Sequence, residues 1–264
     1  MSEKNEILLF KIKRRVAYLT INRPDSAHAF NLTLMKKFYQ ALKRADESEK
    51  VKCILVKSTG NRTFSAGIDI RNMPEKNQEE YMNKMREFGR KITQYMLLMK
   101  KPIIAQVQGS AIGFGMEVIM ACDLKMFADK PLDQMKFRMP EIAISIYPQT
   151  GATILPLLSF GLNFAKRILL TSDEFGLEEL KNMNFPTRVF PPERLEIETK
   201  KFLRTFTKRS ESFSFLIKSS LTIMNNKLIK RWYDLEDECG ETSYKKLSMQ
   251  ELEEFINGLF EKYP

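Results

Sequence analysis

Glu117, in the run Gly109-Ser-Ala-Ile-Gly-Phe-Gly-Met-Glu117, and Glu141, in Met139-Pro140-Glu141, are the residues of this chain best suited to chemistry. Each follows a segment in which glycine or proline dictates where the backbone points. Two carboxyl groups brought close together cannot both ionise easily, so one pKa rises and the site can hold a base and an acid at neutral pH. Such a pair can add water across a double bond. The glycines of Ile112-Gly113-Phe114-Gly115 permit angles that expose consecutive N–H groups. A helix starting there aims its positive end at the same place, which favours an oxyanion. Ser65-Ala66-Gly67-Ile68-Asp69 offers a second turn of exposed amides. Either turn alone is weak evidence; their order and spacing make them specific.

Positioning these residues requires alternating strands and helices. Ile7 to Ile12 and Val16 to Ile21 are apolar, β-prone segments joined by Lys13-Arg14-Arg15, which predicts an opening hairpin. Leu34, Phe38, Ala41, Leu42 and Ala45 recur at three- and four-residue spacing after Asn31, a capping residue, so Leu32 to Ala45 reads as an amphipathic helix. Val51 to Lys57 reads as a strand, Gln78 to Met99 as a long charged helix, and Ile103 to Val107 as the strand leading into the Glu117 helix. Leu124 to Ala128 is a further strand, and Lys130 to Gln134 an exposed excursion. The alternation predicts an α/β architecture. Beyond about Pro192 the strands stop, and Ile197 to Phe206, Phe213 to Met224 and Gln250 to Phe260 read as amphipathic helices. The division expected is a core over residues 1–193 and a helical region over 194–264. A tail of that size buries too little surface to stand alone and must pack on the core or on another subunit.

The chain has 264 residues, 43% hydrophobic and 29% charged, and no apolar run approaches the roughly 18 residues a membrane span requires. The N-terminus carries mixed charge with no apolar signal core, which argues against secretion and organelle import. Cys53, Cys122 and Cys239 are odd in number and dispersed, which fits a reducing cytoplasm. One histidine, His28, and three scattered cysteines provide no metal cluster and no Ser-His-Asp or Cys-His set. A net charge of +10 favours polyanions, yet its basic clusters are interspersed with acidic residues and lack an aromatic–basic motif, so nucleic acid is not favoured. Met82, Met85, Met96 and Met99 fall on one face of the long helix and read as adaptable packing.

Several motifs, taken in order, resemble the crotonase superfamily, the enoyl-coenzyme A hydratases and isomerases. Ile21-Asn-Arg-Pro-Asp25 with Ala27, Ala29 and Asn31 is similar to the family's opening motif, and Phe64-Ser-Ala-Gly-Ile-Asp69 to its first oxyanion loop. Lys101-Pro-Ile-Ile-Ala105, Gly109, Glu117 to Asp123, Pro140-Glu141 and Pro148-Gln-Thr-Gly151 follow in family order. The resemblance implies a ClpP-like spiral of ββα units with a C-terminal helical trimerisation region, and hence a homotrimer or dimer of trimers. It implies catalytic roles for Glu117 and Glu141, and oxyanion donors at the backbone N–H of Ile68 and Phe114. Coenzyme A contacts would fall near Ser26, Ala27, Ala29 and Ala66, with Lys262 approaching the nucleotide of a neighbouring subunit. The acyl-coenzyme A thioester would be the substrate, with no separate cofactor. Ile68 and Phe114 stand where the family usually has Ala and Gly, so the N–H groups survive while the acyl pocket is reshaped. The implied activity is enoyl-CoA hydration. The alternatives are an enoyl-CoA isomerase of the same fold, or a non-catalytic protein binding RNA or a partner.

Overall fold

The computed structural model describes residues 6–223, 225–245 and 247–263. The first five residues, on which much of the N-terminal reading rests, and Met224, at the end of one expected tail helix, lie outside them. The chain opens with the expected hairpin of β1 (Leu8–Lys13) and β2 (Val16–Ile21), antiparallel with Leu8 opposite Ile21 and Lys13 opposite Val16. Arg14 and Arg15 both take left-handed φ, 51° and 64°, as a tight two-residue hairpin turn demands. α1 (Leu32–Glu47) starts where the Asn31 side chain accepts the Leu34 N–H at 2.9 Å. It sinks Leu34, Phe38 and Leu42 completely into the core, each a burial worth about 1.5–3 kcal/mol before entropy.

Three ββα units follow. They are β3 (Cys53–Ser58), β4 (Thr63–Ser65) and α2 (Gln78–Leu98); β5 (Ile103–Val107), β6 (Ser110–Ile112) and α3 (Phe114–Met120); and β7 (Leu124–Ala128), β8 (Phe137–Arg138) and α4 (Ile154–Phe160). Each unit lays its first strand in a six-stranded sheet of order β1-β2-β3-β5-β7-β9, and its second in a three-stranded parallel sheet of order β4-β6-β8. After α5 (Leu162–Thr171) and α6 (Leu177–Asn182), β9 (Arg188–Phe190) closes the larger sheet against β7. The chain thus winds through both sheets once per unit. The strands β3 and β5 are buried almost throughout, as parallel strands covered on both faces must be.

The tail comprises α7 (Leu195–Phe206), α8 (Glu211–Ile223), α9 (Asn226–Ser243) and α10 (Met249–Lys262). The sequence reading gave no separate helix for α9. Its apolar face is interrupted by Glu236, a charged residue that is 1% exposed, and this hides the periodicity. The tail is tied to the core by buried polar anchors. Lys218 of α8 donates to Asp123 Oδ2 at 2.8 Å and to the carbonyls of Met96 and Lys101 at 3.2 Å each. Tyr233 of α9 is fully buried in the same cluster as the α1 and β3 side chains.

Candidate active site

Three loops leave adjacent strands of the small sheet at their carboxyl ends: residues 66–69 after β4, 113–114 after β6, and 139–141 after β8. The register pairs Ser65 with Ala111 and Ile112 with Arg138, so Ile68, Phe114 and Glu141 emerge side by side. This is where α/β sheets place their ligands. A cavity of about 550 Å³ opens there, and its lining includes Ser26, Ala27, Ala29, Ala66, Ile68, Phe114, Glu117 and Glu141. Residues from five separate motifs therefore share one space. Lys262, at the end of α10, is not among the lining; it is paired with Glu238 at 2.5 Å.

The backbone N–H groups of Ile68 and Phe114 are free. Among the described residues neither finds an acceptor, whereas their neighbours do: Gly67 N–H donates to Ser65 Oγ at 3.1 Å and Asp69 N–H to the Phe30 carbonyl at 2.9 Å. Both residues line the cavity, where a ligand oxygen can accept from their N–H groups. The two loops touch. A Cβ on Gly67, where φ is +87°, would lie 2.6 Å from the Ile112 carbonyl oxygen and 3.4 Å from the Phe114 nitrogen, so no other residue fits. Phe30 joins them, its backbone bonding Gly67 O and Asp69 N while its ring packs edge-on to Phe114 at 5.0 Å. Arg23 braces the outer wall, donating to the Ala29 carbonyl, to Ser26 Oγ at 3.3 Å and to Asp69 Oδ2 at 2.9 Å. His28 is buried, its Nδ1 accepting the Arg23 N–H at 3.2 Å, and burial pushes its pKa down.

Glu117 sits in the first turn of α3, a helix buried along its whole length, and is 2% exposed. Burial, then the charge of Glu141, raises its pKa well above the usual carboxylate value. Burial likewise lifts Glu141 from 4.5 to about 7, against the pull of Arg138. Glu141 Oε2 is buried without a hydrogen-bond partner among the described residues. The two carboxyls line one cavity, and both have pKa values raised first by burial, which favours retention of a proton in the site.

Thr150 is the hydrogen-bond partner of the Glu117 carboxyl and pulls its pKa back down. Its hydroxyl lies 2.5 Å from Glu117 Oε2 and also against the Gln149 carbonyl. One hydroxyl proton cannot serve both acceptors. With Glu117 ionised, Thr150 donates to it; with Glu117 protonated, Glu117 donates to Thr150 Oγ1, which then donates to Gln149. Thr150 holds a φ of 70°, costly for a β-branched residue and therefore imposed by its surroundings. Thr93 Oγ1 donates to the Thr150 carbonyl at 2.5 Å, and Tyr233 donates to Thr93 at 2.8 Å. Glu236 holds the following turn, accepting the N–H groups of Gly151 at 2.7 Å, Thr153 at 2.8 Å and Ile154 at 3.3 Å, along with the Thr153 hydroxyl. It caps α4 from the tail.

The family model for enoyl-CoA hydratase/isomerase matches residues 11–257. The chain belongs to the enoyl-CoA hydratase/isomerase family. It is similar to the short-chain-enoyl-CoA hydratase of Clostridium acetobutylicum, 30% identical over 193 residues covering 73% of this chain and 72% of that one. The crotonyl-CoA hydratase of Syntrophomonas wolfei is 32% identical over 200 residues, 74% of each chain. Among solved structures, an enoyl-CoA hydratase from Mycobacterium avium subsp. paratuberculosis superposes with a TM-score of 0.80 over 91% of this chain and 95% of that one, at 20% identity, which establishes the crotonase fold. Within that family frame, sequence reasoning missed Phe30, Gln149, Thr150, Thr153 and Glu236 as parts of the site. Thr150 and Gln149 lay inside the recognised Pro148-Gln-Thr-Gly151 motif; Glu236, some 85 positions further on, left no local signal.

Proposed function

We propose that the chain is an enoyl-CoA hydratase, adding water across the 2,3 double bond of an enoyl thioester. The observation that carries this reading is the meeting of two buried carboxyls, Glu117 and Glu141, with the two unpartnered amides of Ile68 and Phe114 in one cavity. The amides donate to the thioester oxygen, where enolate charge accumulates as water attacks the β-carbon. One carboxylate takes the proton from the attacking water, and the pair returns a proton to the α-carbon. Thr150 keeps the carboxyl hydrogen-bonded in both protonation states. The coenzyme lies along Ser26, Ala27, Ala29 and Ala66; Arg23 holds the Ser26 hydroxyl and the Ala29 carbonyl, and the Ala66 N–H donates to the Ala27 carbonyl. The relatives named for hydration of short enoyl thioesters support the same substrate class.

We further propose self-association through the tail, as a trimer or dimer of trimers. Phe213, Leu216, Ile217 and Leu221 of α8 are 67%, 55%, 63% and 71% exposed, a run of apolar area seldom left to solvent. Lys262 would then reach a neighbour's nucleotide. Among the described residues no helix is long and apolar enough to cross a membrane. The test of activity is product analysis with crotonyl-CoA and longer analogues. Hydration yields a 3-hydroxyacyl thioester; a shifted double bond would assign the isomerase reaction instead, and no turnover with any chain length would refute both.

A further inference from the structure

Resting on the hydratase reading, we propose that the acyl group carries an anionic far end, a carboxylate, recognised by Arg86. α2 runs past Thr150 and Phe114, beside the Glu117 carboxyl. A Cβ on Gly89 would meet Thr150 Cγ2 at 2.5 Å and the Phe114 ring at 3.3 Å, and Thr93 bonds the Thr150 carbonyl. Arg86 is three residues before Gly89 and Met82 seven before, about 5 Å and 10 Å back along the axis. Both line the cavity that holds Glu117 and Glu141. An acyl chain leaving the β-carbon along α2 meets the Arg86 side chain within a few carbons.

The charge of Arg86 is unbalanced. Arg90, one turn on, faces α9 and is paired with both Asp234 and Asp237. Arg86 has no carboxylate partner among the described residues. It donates to Asn83 Oδ1 and to the Tyr244 hydroxyl, each at 2.7 Å, and its guanidinium lies 4.5 Å from the centre of the Tyr244 ring. Two of its five N–H groups are used, so the fork is held in place while donors remain for a bidentate carboxylate. Arg86 is only partly exposed, while the other unpaired arginine of the lining, Arg71, is exposed. A saturated hydrocarbon tail would leave this cation beside an apolar chain, which is unfavourable.

The phosphates of coenzyme A are the other source of anionic charge, and the experiment separates the two. Turnover is measured for a trans-2-enoyl-CoA of about six carbons ending in a carboxylate and for its neutral equivalent, with the wild type and Arg86→Met. The wild type is expected to favour the carboxylate-ended thioester by about tenfold or more in kcat/KM at low salt. Arg86→Met is expected to lose that preference while hydrating the neutral thioester within about twofold of the wild type. A wild type that favours the neutral thioester overturns the proposal. So does an Arg86→Met that weakens both thioesters alike, which marks a phosphate or structural role. If neither thioester is hydrated, the hydratase reading fails, and calorimetric binding of the saturated carboxylate-ended and neutral acyl-CoAs decides the matter separately. Tighter binding of the former, lost in Arg86→Met, sustains the assignment, and equal binding ends it.

Discussion

Replacing Glu141 with Gln is expected to make the protein more stable above neutral pH while removing most of its activity. Burial lifts the Glu141 pKa from 4.5 to about 7, so the folded state holds its proton more tightly than the unfolded chain. Below pH 4.5 the carboxyl is protonated in both states and its ionisation costs nothing. As pH rises from 4.5 through about 7 the unfolded chain ionises first, and folding stability falls across that window. Above it the full penalty applies, about 3 kcal/mol at about 1.4 kcal/mol per tenfold in the ionisation constant. Water entering the cavity screens part of this, leaving about 1–3 kcal/mol. Glutamine has nearly the same shape and no charge, and among the described residues Glu141 Oε2 has no hydrogen bond to lose. Urea unfolding of both proteins between pH ~4 and ~8.5 should therefore converge at the acid end and diverge in favour of Glu141→Gln at the alkaline end. Hydration should drop by about 10²–10⁴-fold, as expected for loss of a general acid or base. A variant that is less stable at pH ~8, or that keeps its activity, refutes the reasoning.

Thr150→Val removes the hydroxyl that holds the Glu117 pKa down, so the activity limb belonging to the carboxyl pair should move to higher pH, read from the pH dependence of kcat/KM. Gly113→Ala adds a Cβ at a φ of +49° and 3.1 Å from Glu141 Oε1. It should displace that carboxyl, lowering kcat by at least about tenfold and costing about 1 kcal/mol or more of stability by urea unfolding. Glu236→Ala strands three N–H donors at Gly151, Thr153 and Ile154. It should cost about 3–5 kcal/mol in the same assay and lower activity by freeing the Thr150 turn, although Glu236 touches no substrate.

Five strands of the larger sheet, β1, β2, β3, β5 and β7, were legible because they are five or six residues long and mostly apolar, and α1 because its capping residue and periodicity agree; β9, with three residues, was not. β4, β6 and β8 have three, three and two residues, too few for any period to register. The convergence of Ile68, Phe114 and Glu141 depends on those short strands, so it could be reached from the sequence only through the family's motif order. Glu117 and Glu141 were legible as candidates through the glycines and proline that precede them. A raised pKa was expected from the repulsion of the pair, but its first cause, burial among residues distant in sequence, was not legible. Glu236 and Tyr233 escaped for the same reason. They act through tertiary contacts from α9, and a glutamate within a helix is ordinarily a solvated residue.

Hydration in oxygen-18 water tests most directly whether Glu117 and Glu141 activate a water against the β-carbon. With crotonyl-CoA or a longer enoyl-CoA, mass spectrometry should find one labelled oxygen, on the 3-hydroxyl of the product, and Glu117→Gln with Glu141→Gln should abolish it. An unlabelled product with a moved double bond, or undiminished labelling in the double variant, would contradict it.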